Sequence, residues 1–256
     1  MDELLSETKD GVLRLTINRP ERRNAISPAV VEGLTAALRG PGTDPATRAI
    51  VVTGVGDKAF CAGADLQSGK SFQFDYSVPN LGYANLLRAA HAATVPLVAR
   101  VNGACMAGGM GLLSMCDLAV AAEHAVFGLP EVKVGVFPMQ VLSVLQRILP
   151  SRTLYEMCLT GEPITSAEAH ALRLVNHVAP AAELDAKLDW LLGRLLDKAP
   201  SAIRRGRYTM RRIEAMSFEE SMAFTESQIG LVSMTDDAKE GQAAFREKRA
   251  PRWTGR

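Results

Sequence analysis

Three short apolar runs, Ala49-Ile50-Val51-Val52-Thr53, Leu97–Val101 and Leu118–Ala121, constrain this chain more than any other feature. Each is short, predominantly apolar and without helical period, as expected of a strand buried on both faces. Helical stretches lie between them. Upstream, Val12–Ile17 alternates Leu13, Leu15 and Ile17 with Arg14 and Thr16, the period of a half-buried strand, and Asn18-Arg19-Pro20 ends it. A helix follows, with Ser27 as N-cap, Pro28 at its first position, a stripe of Val30, Val31, Leu34 and Leu38, and Gly40 at its end. Strand and helix thus alternate through the first two thirds, which predicts an α/β layer architecture. After about residue 139 the strand signal fades. Thr165 with Glu168 and Ser217 with Glu220 fit capping boxes, and Leu184, Leu188, Leu191, Leu192, Leu195 and Leu196 line one helical face closed by Ala199-Pro200. Residues Gln67–Asn80 are polar and aromatic without periodicity and read as a mobile loop.

At 256 residues and 47% hydrophobic, the chain can bury a large core without disulfide or metal staples. Its 29 basic and 28 acidic residues leave a net charge of +1, so no global field grips nucleic acid or a membrane, and an anion must be met by local groups. No apolar run approaches the roughly 20 residues of a membrane span, and Met1–Leu5 lacks a basic signal-peptide start; a cytoplasmic location is expected. Cys61, Cys105, Cys116 and Cys158 are widely spaced and form no zinc-like pattern with the four histidines, so free buried thiols are expected and no metal. Arg204-Arg205-Gly206-Arg207 with Arg211-Arg212 raises RNA binding, but without interleaved aromatics it reads as a solvated helix face.

Two glycine clusters carry the chemistry. Gly54-Val55-Gly56-Asp57-Lys58-Ala59 matches GxGxxA after a buried strand, yet it runs into Phe60-Cys61-Ala62-Gly63-Ala64-Asp65-Leu66, too rich in small residues to start the helix a dinucleotide site needs. It reads as a strand-end turn. The second cluster, Asn102–Gly111, leads into Leu112-Leu113-Ser114-Met115; Gly108-Gly109 entering a helix would leave N–H donors pointing outward. Together the two loops could supply two backbone donors to a developing oxyanion. No G-x-S-x-G elbow occurs, and Cys61, the thiol beside the first loop, has no neighbour in sequence that would activate it.

In order and spacing, these residues resemble the crotonase, or enoyl-CoA hydratase/isomerase, superfamily. The likeness runs from Ile17-Asn18-Arg19-Pro20 with Asn24-Ala25, through Phe60–Leu66, Val101-Asn102-Gly103, Met115-Cys116-Asp117-Leu118, Phe127-Gly128-Leu129-Pro130-Glu131 and Leu159-Thr160-Gly161. It ends with Glu240-Gly241, Phe245, Glu247-Lys248-Arg249 and Pro251. It implies an α/β spiral of ββα turns over residues 1–195 that carries the acyl-CoA site, and a C-terminal helical segment, 196–256, that assembles trimers or hexamers built as dimers of trimers. It also implies a coenzyme A thioester as substrate with no tightly bound cofactor. The oxyanion donors would be the N–H groups of Ala64 and Gly108, and Glu131 the catalytic carboxylate. Ala62, Asp65 and Leu66 would lie along CoA, Arg22, Arg23 and Lys58 near its phosphates, and Lys248 would reach a neighbouring subunit's ligand.

Removing a proton beside the thioester carbonyl puts charge on the oxygen, which two fixed donors stabilise more than the ground state. Glu131 in an apolar stretch should have a raised pKa suited to proton transfer near neutrality. The hydratase's other glutamate falls on Gly111, which has no side chain. Losing a general acid/base typically costs about 10²–10⁴ in rate. The expectation is therefore double-bond isomerisation by one carboxylate. Hydration with a compensating acid (Asp75 or Lys133) is the alternative, followed by decarboxylation or acyl-CoA binding without turnover. Phe72, Phe74 and Tyr76 could line the acyl pocket.

Overall fold

The computed structural model describes residues 2–65, 75, 77 and 79–256. Strand β1 (Leu4–Lys9) turns through Asp10 and Gly11, both at positive φ, into β2 (Val12–Ile17), its antiparallel partner. This Asp-Gly hairpin closes in two residues because both positions tolerate left-handed backbone. Helix α1 (Pro28–Arg39) follows, with the Ser27 side chain accepting from the Val30 N–H as its cap. Three similar units come next. In each, a long strand is followed by a short strand and then a helix: β3 (Ala49–Gly54), β4 (Ala59–Cys61) and α2 (Gly82–Ala92); β5 (Leu97–Val101), β6 (Ala104–Met106) and α3 (Gly108–Ser114); β7 (Leu118–Ala122), β8 (Val126–Gly128) and α4 (Met139–Leu145). The chain continues through α5 (Ser151–Thr160), β9 (Ile164–Thr165), α6 (Ser166–Ala171), β10 (His177–Ala179), α7 (Leu184–Leu196), α8 (Pro200–Ile213), α9 (Phe218–Ser233) and α10 (Asp236–Glu247).

The long strands form one sheet in the order β1-β2-β3-β5-β7-β10, parallel from β2 onward, and the short strands form a second, β4-β6-β8-β9. The chain is thus an α/β spiral of ββα turns. Alternate residues of β3 serve two cores: Ile50 and Val52 join Leu34, Leu86 and Leu97, whereas Ala49 and Val51 join Leu184, Leu188, Leu191 and Leu192 of α7. A strand covered on both faces needs no polar alternation, which explains the continuous apolar runs. Both capping boxes form as the spacing predicts. The fading strand signal after residue 139 is corrected by β9 and β10, only two and three residues long, too short to show a period.

The corner between β3 and β4 is turned without helix, as the GxGxxA reading expects. Buried Asn24 donates to the carbonyls of Val55 and Ala59 (3.0 and 2.7 Å), and buried Asn102 to those of Gly56 and Ala59 (2.7 and 3.1 Å). These amides satisfy backbone groups that leaving one sheet for another would otherwise strand.

The basic stretch of α8 is not a solvated face. Arg207 is buried: its Nε donates to Asp117 Oδ2 at 2.7 Å, and its other nitrogens donate to the Ala93 and Ala90 carbonyls at the end of α2. Arg211 bonds the same aspartate at 3.0 Å, Arg204 reaches the Pro45 carbonyl and Arg205 the Gln228 side chain. These arginines latch the C-terminal helices onto the spiral. No helix among the described residues is long and apolar enough to cross a membrane. Arg207→Ala strands two buried carbonyls and leaves exposed Asp117 with Arg211 alone, and is expected to cost about 2 kcal/mol in urea unfolding; a loss below about 0.5 kcal/mol would show that the latch is dispensable.

Candidate active site

The parallel short strands β4, β6 and β8 set their C-terminal ends side by side, and the loops leaving those ends build the site. Residues Ala62–Asp65 follow β4, Ala107 and Gly108 follow β6, and Leu129–Glu131 follow β8. The loop after β4 is held by a parallel bridge between Ile26 and Ala64, in which Ile26 N–H donates to Gly63 O and Asp65 N–H to Ile26 O. In that pattern the bonds belong to the flanking residues, so the N–H of Ala64 faces away and has no partner among the described residues. The first residue of α3 is Gly108, whose N–H lacks an intrahelical acceptor.

The two donors lie in backbone contact. A Cβ placed on Gly108 would stand 3.8 Å from Ala64 N, and one on Gly63 would stand 3.3 Å from Gly108 N and 2.6 Å from Ala107 Cβ. Gly63 holds φ +94°, and Ala107 is itself in the left-handed half of the map at φ 52°, ψ −123°. Strain of about 1–3 kcal/mol at a non-glycine residue is tolerated where the surroundings impose it; here it turns the chain so that α3 begins with Gly108 N–H at the loop after β4.

Glu131 lies in a single 3-10 turn, Pro130–Val134, tied to the neighbouring strand by the Ala107 N–H bond to Gly128 O at 2.9 Å. Its carboxyl is half-buried, and Oε2 is closed off from solvent with no hydrogen-bond partner among the described residues. Burial raises its pKa, opposed only weakly by its own backbone N–H. Glu131 follows β8 as Gly108 follows β6, at the same ends of paired strands.

The other expected residues fall as follows. Ala62 is half-buried and its N–H already donates to the Arg23 carbonyl, which brings the Arg22-Arg23 turn against the oxyanion loop; both arginines are exposed. Lys58 is exposed, with its carbonyl accepting from Ala104 N–H, and Lys248 is exposed at the C-terminus of α10. The Asp65 carboxylate is engaged by Arg19 at 2.7 Å; Arg19 is buried, also donates to the Ala25 carbonyl and pairs with Glu3 at 3.3 Å. Arg19 thereby fixes the loop that carries Ala64, a role its motif position alone did not reveal. Leu66, Phe72, Phe74 and Tyr76 lie outside the described residues. Neither proposed substitute acid is set against Glu131: Lys133 pairs outward with Glu162 at 2.7 Å, and exposed Asp75 accepts from Ser77. Cys61 is fully buried and its thiol pKa is pushed up to about 12 by that burial, so it is no nucleophile. Tyr83, at the start of α2, gave no sequence signal, yet its hydroxyl donates to the Gly108 carbonyl.

The fold is thus a spiral of ββα turns in which the backbone N–H groups of Ala64 and Gly108 meet at the ends of the short strands. The family model for enoyl-CoA hydratase/isomerase matches residues 7–256. The chain is 35% identical to an enoyl-CoA hydratase of Mycobacterium tuberculosis over 99% of its length and 97% of the relative's. It is 31% identical to the 2,3-dehydroadipyl-CoA hydratase of Escherichia coli over the whole of both chains. Among solved structures it resembles an enoyl-CoA hydratase from Mycobacterium tuberculosis (TM-score 0.90, 33% identity, all of both chains) and one from Bacillus anthracis (TM-score 0.92, 27% identity, 99% of this chain and 100% of that one). The chain belongs to the enoyl-CoA hydratase/isomerase family and is an enzyme acting on acyl-CoA.

The raised pKa of Glu131 has a stability consequence. The unfolded carboxyl ionises near 4.5 and the folded one higher, so the folded chain binds the proton more tightly and is penalised once both forms ionise. Glu131→Gln removes that penalty. It is expected to leave stability unchanged below pH 4.5 and to raise it progressively as pH climbs through the folded pKa. Urea melts across pH check this, and parallel curves for the two proteins would contradict it.

Proposed function

We propose that this enzyme isomerises the double bond of an enoyl-CoA, with Glu131 as its one acid/base and the Ala64 and Gly108 N–H groups as the oxyanion hole. The carboxylate takes a proton from the α-carbon of a β,γ-unsaturated thioester, the electron pair passes to the thioester oxygen, and the two N–H donors hold that charge. The same carboxyl returns the proton to the γ-carbon, leaving the α,β-unsaturated isomer. One group carrying one proton suffices. The observation that carries this reading is the pairing of an unpartnered Glu131 carboxyl with Gly111, which brings no second acid from α3.

Further features of the reading follow from placement. Exposed Arg22 and Arg23 lie on a turn whose backbone bonds the loop after β4, and exposed Lys58 stands just before β4 with its carbonyl bonded to the start of β6, which suits them to CoA phosphates. Large exposed apolar side chains on α9 and α10 and between them, Phe218, Ile229, Met234 and Phe245 among them, support residues 196–256 as the segment that assembles trimers or hexamers and brings Lys248 to a neighbour's ligand. A spiral core over residues 1–195 belongs to the same reading.

Hydration is the second reading, favoured by the names that the relatives carry. Separate incubation with trans-3-enoyl-CoA and trans-2-enoyl-CoA of medium chain length, resolved by mass, distinguishes the two. Isomerisation converts the 3-enoyl thioester without mass change, and Glu131→Gln should lower kcat by about 10²–10⁴. Ordinary enzymatic gain of water by the 2-enoyl thioester would overturn the isomerase reading. Because the base must be ionised, kcat/KM should fall as pH drops, with its acid limb above the usual carboxyl value of 4.5; a limb at or below 4.5 would show that Glu131 is not the base.

A further inference from the structure

The space beside Gly111 is filled from another helix. A Cβ built on Gly111 would stand 2.1 Å from Tyr83 Oη, 3.2 Å from Tyr83 Cζ and 3.3 Å from Val141 Cγ2. Bonded atoms aside, carbon and oxygen do not approach so closely, so a side chain at position 111 and the Tyr83 ring in its present place exclude each other. Tyr83 comes from the first turn of α2, packs its ring against the large core, and donates its hydroxyl to the carbonyl of Gly108, one of the two oxyanion residues. Burial first, and then the neighbouring Cys61, Cys105 and Glu131, hold the phenol well above its ordinary pKa. It is therefore a neutral hydrogen-bond donor near physiological pH and not a base.

We infer that Tyr83 is a specificity-determining residue: its hydroxyl stands where a carboxylate on residue 111, and the water that carboxylate would handle, would otherwise sit. The inference deepens the acyl-CoA reading and rests on it. Hydration breaks an O–H bond of water, whose proton passes to a carboxylate, and forms a C–O bond at the β-carbon. The α,β pair moves toward the thioester oxygen, and the α-carbon then takes up a proton. That sequence requires a water placed over the β-carbon, with room and polar partners for it. Isomerisation requires no water. By filling the slot with a phenol already bonded to Gly108, the site leaves the enolate to proton return from Glu131.

The test compares the wild-type enzyme with Tyr83→Phe, Tyr83→Ala, Gly111→Glu and the double variant Tyr83→Ala/Gly111→Glu. Each is checked for folding by circular dichroism and for acetyl-CoA binding by calorimetry, then assayed on trans-2-enoyl-CoA and trans-3-enoyl-CoA with products resolved by mass. The ratio of hydration to isomerisation is the readout. It should rise about tenfold in Tyr83→Ala and toward 10²-fold in the double variant, where the new carboxylate enters the vacated slot. Gly111→Glu alone gains no hydration, because Tyr83 denies its Cβ room, and Tyr83→Phe, which removes the hydroxyl that stands 2.1 Å from that Cβ but keeps the ring carbon at 3.2 Å, should raise the ratio less than Tyr83→Ala does. Should Tyr83→Ala fail to fold, the double variant, with the slot refilled, carries the same comparison. An unchanged ratio in folded Tyr83→Ala and in the double variant overturns the inference while leaving an isomerising wild type intact. Conversely, a wild type that does not isomerise overturns the isomerase reading, and a rise in hydration on removing Tyr83 upholds the inference independently.

Discussion

Two side-chain amides on one carbonyl hold the corner on which this structure turns. Asn24 and Asn102 both donate to Ala59 O at the point where the chain leaves the large sheet and starts the small one. A change of sheet interrupts the backbone ladder, and the groups so exposed lie in the interior, where an unmade hydrogen bond costs about 1–3 kcal/mol. Side-chain amides replace the missing ladder. Space at the corner is correspondingly tight: a Cβ on Gly54 would meet Asn24 Nδ2 and Phe60 O at 2.4 Å, and one on Gly103 would meet Lys58 backbone at 2.5 Å. With the corner fixed, β4 lies beside β6, β6 beside β8, and their ends become one site.

In the proposed reaction the site divides its work between rigid backbone and one reactive side chain. Its donors are main-chain N–H groups whose directions are set by the Ile26–Ala64 bridge, by the Arg19–Asp65 ion pair and by the strained turn at Ala107. Donors so fixed would cost no reorganisation if, as proposed, charge develops on a thioester oxygen between them. The carboxyl of Glu131 is the opposite kind of group, partly desolvated and with Oε2 unpartnered among the described residues, so its proton affinity is raised above that of an ordinary carboxyl. Tyr83 links the two halves, bonded to an oxyanion residue and close enough to Glu131 to feel its charge.

Much of this was legible in the chain, and the reason is local. The bounds of β2, β5 and α1, the two capping boxes and the buried thiols follow from periods and caps that extend over five or more residues. The likeness of ordered motifs pointed to the family, and it supplied Glu131, Ala64 and Gly108 as the residues of the proposed site. Strands β4, β6, β8, β9 and β10 were not read, because two or three residues carry no period.

Long-range geometry decided the rest. Composition makes Arg207 look like surface charge; only the docking of α8 beneath α2 buries it on Asp117. Nothing local to Asp65 announces its ion pair with Arg19, 46 residues away, and Lys133 looks like a partner for Glu131 until it is seen to turn outward to Glu162. A glycine at position 111 reads as a missing side chain; folded, it is room for the Tyr83 hydroxyl. Sequence spells out which residues can bond with near neighbours, whereas pairings between distant segments exist only once the sheets have set those segments side by side.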